Sequence, residues 1–324
     1  MSCCALLSFS SIFARIQQVR SVFSLLIVTG ILSIQSPANA LVINAKFQSS
    51  ITSLPNAATM ENAIEYAIQQ FESEYTDPIT ITIFFAATNS SSGFLGHSET
   101  SRILGYNYNL IRNALIADQT TSIDHSAVAT LPVNDPIGGQ YQIARAEAQA
   151  LGLDSANDPL SSGLVTFNTS DSYTFDPNNR AVAGKYDFIG VAEHEISEIM
   201  GRTSGIGEAA SAYDLFRYTA PGVRGLSSSD TNVYLSADGG NTVLKYFNSS
   251  PSGDLGDWAS GFGPDSYNAF SSPGVVNGLS AADIKALDML GYNAIPEVPS
   301  SVLIGLGGAT MLIARHIQRR RIVR

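Results

Sequence analysis

Cysteine is almost absent from this chain of 324 residues, and the two that occur, Cys3 and Cys4, both lie at the N-terminal end. We expect the segment that contains them to be removed, which leaves a mature chain without thiols. Such a chain has no disulfides and no thiolate for catalysis or metal binding. A secreted domain of about 250 residues must then be stabilised by its hydrophobic core, and this length is sufficient for one.

The first 40 residues have the organisation of a secretory signal peptide. Arg15 and Arg20 precede an apolar stretch at 22–34, and Ala38-Asn39-Ala40 forms a small-residue cleavage site before Leu41. We therefore expect secretion through the periplasm.

Positive charge is scarce between positions 41 and 299. This range holds all 28 acidic residues but only 11 of the 18 lysines and arginines, a formal charge of −17. Such a charge disfavours nucleic acid and anionic membrane surfaces as partners and attracts cations.

The most informative segment is residues 190–202, which contains His194, Glu195 and Glu198. Zinc-dependent peptide hydrolysis uses two ligands four residues apart on one helical face, with a glutamate beside the first as general base. His194 and Glu198 have that spacing, and Glu195 occupies the position of the base. All three project from one side of a helix, next to an apolar stripe suited to face a core. The segment predicts a zinc site in which a glutamate replaces the usual second histidine. The alternative is a solvated helix face, on which glutamates at this spacing are common.

A third protein ligand is needed to complete an open, catalytic site. Glu208 and Asp214 are the nearest acidic candidates, and we expect Asp214 because it leads an apolar, aromatic segment that would fix its carboxylate. Its alternative roles are a helix cap or a salt bridge to Arg217. His97 and His125 lie in Ser- and Thr-rich segments, which we interpret as solvent-exposed loops. Zinc is the expected ion, and two carboxylate ligands would also accept manganese.

Residue patterns predict a series of secondary-structure elements. Before the metal-binding helix they are a helix at 57–75, a strand at 78–85, helices at 106–117 and 143–151, a loop at 132–136 and a last strand at 164–168. After it they are a hairpin of 232–235 and 242–247 and a closing helix at 281–291, capped by Ser280 and Gly291.

This order resembles the upper domain of the zincin superfamily, and residues 279–292 resemble the C-terminal helix of metzincin-type peptidases. The resemblance implies an α+β zincin-like metallopeptidase domain at 41–293, with a mixed sheet, an active-site helix and a closing helix. In that fold an edge strand beside the metal helix pairs with the extended peptide substrate.

The C-terminal end combines Pro296-Glu297-Val298-Pro299, a short apolar stretch at 302–314 and an arginine cluster that includes Arg315 and Arg324. Residues 294–324 resemble the PEP-CTERM sorting tail of bacterial exopolysaccharide-associated proteins. That resemblance implies transient membrane anchoring, removal by an exosortase-type enzyme, and a final location at the cell surface or in the extracellular matrix. The alternative is a plain C-terminal anchor. The apolar stretch is shorter than the roughly 20 residues that a transmembrane helix needs.

The chain as a whole resembles secreted bacterial zincin-like metalloproteases with a His-Glu-x-x-Glu helix and a PEP-CTERM tail. The segments that carry the resemblance are 191–202, 214–218 with 220–224, and 253–258. It implies a peptidase that acts on a protein or peptide substrate through a metal-activated water, with Glu195 as general base. Tyr213 or Tyr218 could stabilise the oxyanion, and sequence does not choose between them. The alternative is a non-catalytic matrix or adhesion protein on a degenerate zincin scaffold.

Overall fold

A main sheet of four strands forms the centre of the domain in a computed structural model that describes residues 41–295. The strands of the described chain are β1 (Val42–Phe47), β2 (Thr80–Thr88), β3 (Gly96–Thr100), β4 (Arg102–Tyr106), β5 (Tyr141–Ala144), β6 (Gly163–Asn168), β7 (Tyr173–Thr174), β8 (Tyr186–Asp187), β9 (Arg217–Ala220), β10 (Val223–Arg224), β11 (Tyr234–Leu235) and β12 (Lys245–Tyr246). The main sheet has the order β1-β2-β6-β3, so β3 forms one of its edges. Strands β1, β2 and β6 run parallel, whereas β3 runs antiparallel to β6.

Helices cover the sheet and close the domain. They are α1 (Ser49–Thr52), α2 (Ala57–Glu74), α3 (Tyr108–Asp118), α4 (Ser122–Ala129), α5 (Arg145–Ala150), α6 (Phe188–Ile199) and α7 (Ala281–Asp288), with a 3-10 helix at Tyr213–Phe216. Helix α6 packs against β3, β6 and α2. A run of aromatic rings joins it to the sheet. The ring centroid of Phe188 lies 4.6 Å from that of Phe167, and the ring of Phe167 stacks on that of Phe85 with centroids 6.3 Å apart. The α+β class and the mixed sheet are confirmed.

Most of the predicted elements are present. The helices at 57–75 and 106–117, the strand at 78–85, the hairpin and the closing helix all match within a few residues. Ser280 caps α7 as expected, and Gly291 has a φ of +100°. The apolar stripe on α6 is fully buried. These successes come from segments with strong periodicity or caps.

Three expectations need correction. The segment 143–151 begins as strand β5 and becomes helix only at Arg145. Strand β6 is not the last before α6, because the short parallel pair β7–β8 intervenes. His97 and His125 are exposed as expected, but they lie on β3 and α4 and not in loops. In each case tertiary pairing or packing decides a short segment that has little periodicity of its own.

The expected signal peptide at 1–40 and nearly all of the expected sorting tail fall outside the described residues. Among residues 41–295, no helix is both long and apolar enough to cross a membrane.

Candidate metal centre

Helix α6 presents His194, Glu195 and Glu198 toward a cavity of about 550 Å³. The apolar stripe beside them anchors the helix in the core, so these three polar side chains have a fixed orientation. Strand β3 forms one wall of the cavity, and residues 252–254 and 268–271 contribute another.

The imidazole of His194 is oriented by a backbone carbonyl. Its Nδ1 lies 2.9 Å from the oxygen of Ser266, and a carbonyl can only accept, so Nδ1 carries the proton. The opposite nitrogen, Nε2, lies 3.5 Å from Glu198 Oε1 and 3.4 Å from Asp257 Oδ1. A histidine held in this way by an outer hydrogen bond is the usual arrangement in metal sites.

Three ligand atoms, one each from His194, Glu198 and Asp257, all lie within 4.8 Å of one another. Within residues 41–295 this is the one group of histidine and acidic side chains with that geometry. One nitrogen and two carboxylate oxygens make a donor set that suits zinc and also manganese.

Asp257 is held in place by the closing helix. Asp283 of α7 accepts hydrogen bonds from the indole Nε1 of Trp258 at 2.7 Å and from the hydroxyl of Ser266 at 3.3 Å. It therefore fixes both the residue beside Asp257 and the residue whose carbonyl orients His194. Asp283 also belongs to the capping box of α7, so the residue that caps the closing helix also contacts the neighbours of the candidate group.

Asp214, our expected third ligand, does not belong to this group, in which Asp257 is the third residue. The Asp214 carboxylate is fully buried and accepts hydrogen bonds from Ser204 Oγ, the backbone of Gly205, and both the backbone and hydroxyl of Ser211, at 2.7 to 3.0 Å. It organises the loop 204–211. Sequence pointed to burial of this carboxylate correctly, but its oxygens are already occupied.

Neither candidate tyrosine lines the cavity. Tyr213 is fully buried against Phe247 and Trp258, and its hydroxyl has no hydrogen-bond partner in the described chain. The hydroxyl of Tyr218 contacts Thr130 Oγ1 at 3.2 Å. The structure therefore does not bring either hydroxyl to the candidate centre.

Arg202 is the residue that sequence reasoning missed entirely. Its guanidinium is fully buried and lies 2.7 Å from Asp257 Oδ1 and 3.5 Å from Glu198 Oε1. Its Nε donates to Ser197 Oγ at 2.7 Å, and the group stacks on the ring of Tyr267 at 4.4 Å. We call His194, Glu198, Arg202 and Asp257 the mixed cluster, because two basic groups there face two carboxylates. Arg202 lies eight residues after His194 on the same segment, but its spacing carries no known motif.

The two glutamates of α6 that line the cavity, Glu195 and Glu198, have opposite protonation tendencies. Burial alone would raise the pKa of Glu198, but hydrogen bonds and charges from His194, Arg202 and Ser98 hold it at about 2. Burial and the charge of Glu198 instead raise the pKa of Glu195 to about 8. Burial opposes the charge of His194, yet the Asp257 carboxylate raises the pKa of that imidazole to about 10.

The Glu195 carboxylate faces the cavity without a protein partner. Only 5% of the residue is exposed, and no hydrogen bond to its oxygens occurs within residues 41–295. Gly96 of β3 gives it room, because a Cβ at that position would lie 2.6 Å from Glu195 Oε1. A strand residue without a side chain is therefore required where the sheet edge passes the glutamate.

Comparison of the chain with family models, with curated proteins and with solved structures gives no match.

Proposed function

We propose that the protein is a secreted metal-dependent peptidase whose metal ligands are His194, Glu198 and Asp257. The observation that carries the proposal is the orientation of His194. Its Nδ1 is committed to the Ser266 carbonyl, so its Nε2 is the nitrogen that meets two carboxylates, at 3.4 and 3.5 Å. The unpartnered carboxylate of Glu195 lies beside them in the same cavity.

The residues fit a divalent ion. One imidazole nitrogen and two carboxylate oxygens leave coordination positions for water and substrate, as catalytic sites require. A zinc or manganese ion, when bound, supplies an electrophile for the scissile carbonyl and lowers the pKa of its water.

Glu195 has the properties of a general base. It is buried, it faces the cavity, and its raised pKa makes its ionised form a stronger base toward water and its protonated form a source of the proton for a leaving amine. Strand β3 supports the binding of an extended peptide, because it lies at the sheet edge and lines the cavity through Gly96 and His97. These features support the zincin-like interpretation of the fold.

Metal content and proteolysis of the purified protein test the proposal. We expect one zinc or manganese ion per chain and cleavage of an unstructured protein such as casein. Asp257→Asn should lose most of the metal, whereas Asp214→Asn should keep it. Glu195→Gln should keep the metal and lose cleavage. Full metal content in Asp257→Asn would remove that residue from the ligand set.

A non-catalytic scaffold is the second candidate, and one observation favours it. The mixed cluster contains two basic and two acidic groups, so it forms a balanced ionic network by itself. A protein that contains no metal when purified and binds neither zinc nor manganese in titration would support this role.

We also propose that residues 1–40 direct secretion and that residues 294–324 hold the protein at the membrane until a sorting enzyme removes them. Mass spectrometry of protein recovered from outside the cell should give an N-terminus at Leu41 and a C-terminus near Pro296. Recovery of the arginine-rich end in that material would contradict the sorting role.

A further inference from the structure

The charged groups that line the cavity are strongly biased toward one sign. Of the twenty residues that form its wall, none is lysine or arginine, and two are histidines. The wall carries five carboxylates: Asp171, Glu195, Glu198, Asp254 and Asp257. A cavity with low-dielectric walls and one sign of charge concentrates ligands of the opposite sign.

Besides Glu195, two of these carboxylates, Asp171 and Asp254, lie outside the mixed cluster, and neither forms an ion pair with a basic side chain within residues 41–295. Asp171 accepts a hydrogen bond only from the side-chain amide of Asn168, at 3.3 Å, among the described residues. The carboxylate of exposed Asp254 accepts none within the same residues. By contrast, Arg202 and His194 face Glu198 and Asp257. The unbalanced negative charge of the wall therefore lies on Asp171 and Asp254, outside the mixed cluster.

The same wall offers aromatic surface. Phe270 is 46% exposed and Phe94 is partly exposed, and both line the cavity. Lysine and arginine side chains combine an apolar stem with a charged head, so they match an aromatic wall that also carries carboxylates. An acidic side chain of the substrate would be repelled by the like charge of Asp171 and Asp254 there.

We propose that the cavity selects peptides with a lysine or arginine next to the bond that lies at the candidate centre. Asp171 and Asp254 would contact the charged head, and Phe94 and Phe270 would contact the stem. Besides these four residues, the buried and unpartnered Glu195 indicates that the cavity is built to receive a ligand. The inference rests on the proposed function because it treats the bound peptide as a substrate, but the binding preference can be measured without catalysis.

Peptide binding to the Glu195→Gln protein tests the proposal, because that background prevents cleavage. The probes are two fluorescent ten-residue peptides that differ only in a central arginine or glutamate. We expect the arginine peptide to bind about tenfold more tightly, the effect of two partly exposed ion pairs. Adding Asp171→Asn and Asp254→Asn should reduce the ratio to about twofold or less.

A matched control separates the cavity from the overall acidity of the chain. Glu61→Gln with Glu208→Gln changes the net charge by the same amount at positions that do not line the cavity. This pair should leave the tenfold ratio unchanged. Equal binding of both peptides, no binding of either peptide, or an equal loss of preference in the control pair would each overturn the proposal.

Cleavage of the same peptides by the unmodified protein distinguishes this inference from the proposed function. A binding preference without any cleavage would contradict the peptidase and keep the cavity preference. Cleavage at the same rate around arginine and glutamate would support the peptidase and reject the preference.

Discussion

Two groups of buried or partly buried carboxylates in this protein are stabilised in opposite ways. In the mixed cluster, Glu198 and Asp257 face Arg202 and His194. At the other group, which we call the acidic cluster, Asp77, Asp118, Asp124 and Asp288 meet where α2, α3, α4 and α7 begin or end. Burial, followed by the charges of the other aspartates, raises the pKa of Asp118 and of Asp288 to about 7.

The two clusters differ in the groups that hold their carboxylates. The acidic cluster is held by neutral donors: Asn293 donates to Asp77 from its backbone and its side chain, and Thr121 donates to Asp288 at 2.7 Å. It joins the closing helix to the first half of the chain at an electrostatic cost. In the mixed cluster the neighbouring His194 and Arg202 hold the pKa of Glu198 at about 2, although burial raises the pKa of Asp257. A carboxylate must be ionised to bind a metal, so the basic partners favour the state that the proposed site needs.

The largest effect that we predict distinguishes the two clusters by how much stability each loses when one carboxylate is neutralised. Asp257→Asn should lower the free energy of unfolding by about 3–5 kcal/mol, because it leaves the buried charge of Arg202 without its closest partner. Asp288→Asn should change it far less, because there the substitution also removes repulsion. Urea unfolding with EDTA present, which excludes any bound metal, measures both. A smaller loss in Asp257→Asn than in Asp288→Asn would contradict the distinction.

A second prediction concerns the room for Glu195. Gly96→Ala places a Cβ 2.6 Å from Glu195 Oε1, so the carboxylate must move, and misplacement of about 1 Å costs a catalytic group on the order of 100-fold in rate. We expect peptide cleavage to fall by that factor, with metal content unchanged because the ligands stay in place.

Gly278→Ala is the matched control for that change. A Cβ at position 278 would have its nearest neighbour at an ordinary 3.9 Å, so cleavage should be unaffected. Loss of metal together with activity in Gly96→Ala would instead indicate that strand β3 has shifted as a whole.

Sequence could predict only part of the mixed cluster. His194 and Glu198 were found because four residues make one helical turn, which brings them to one face before any tertiary contact exists. Asp257 lies in the segment 253–258 that the resemblance had already marked, yet nothing in its local sequence joins it to α6. Its position depends on Trp258, Ser266 and Asp283, which come together only in the folded chain.

The same limit applies to the fold. Helix α2 and strand β2 have strong periodicity and were predicted, whereas β3 was missed. Its sequence, Gly-His-Ser-Glu-Thr, has no apolar residue to mark a strand. It is a strand because it pairs with β6 and because Ser98 and Thr100 donate to Glu198 of the helix above. The acidic cluster was not predicted either, because its four aspartates are far apart in sequence.

A third prediction tests the acidic cluster by pH. Asp118 and Asp288 have folded pKa values of about 7, well above the usual 3.8, so the folded protein holds more protons than the unfolded chain between these values. Their contribution to stability is therefore complete below about pH 4 and is lost as pH rises through 7. We expect the urea concentration at the midpoint of unfolding to decrease as the pH rises from 5 to 8. Asp118→Asn should flatten that fall, and an identical slope in this variant would contradict the assignment.

The smallest predicted effect is that of salt on the same cluster. Asp118 is only partly buried, so at pH 8 added sodium chloride should screen its repulsion with the neighbouring aspartates. The gain between 0.05 and 1 M salt should be a few tenths of a kcal/mol, the scale of partly exposed charge pairs. Because salt also strengthens apolar burial, the informative quantity is the difference between the unmodified protein and Asp118→Asn. The variant should gain less, since its repulsion is already gone. The pair of Arg202 and Asp257 is buried, so salt ions should not screen it. An equal gain in both proteins would show that the aspartates do not repel one another in the folded state.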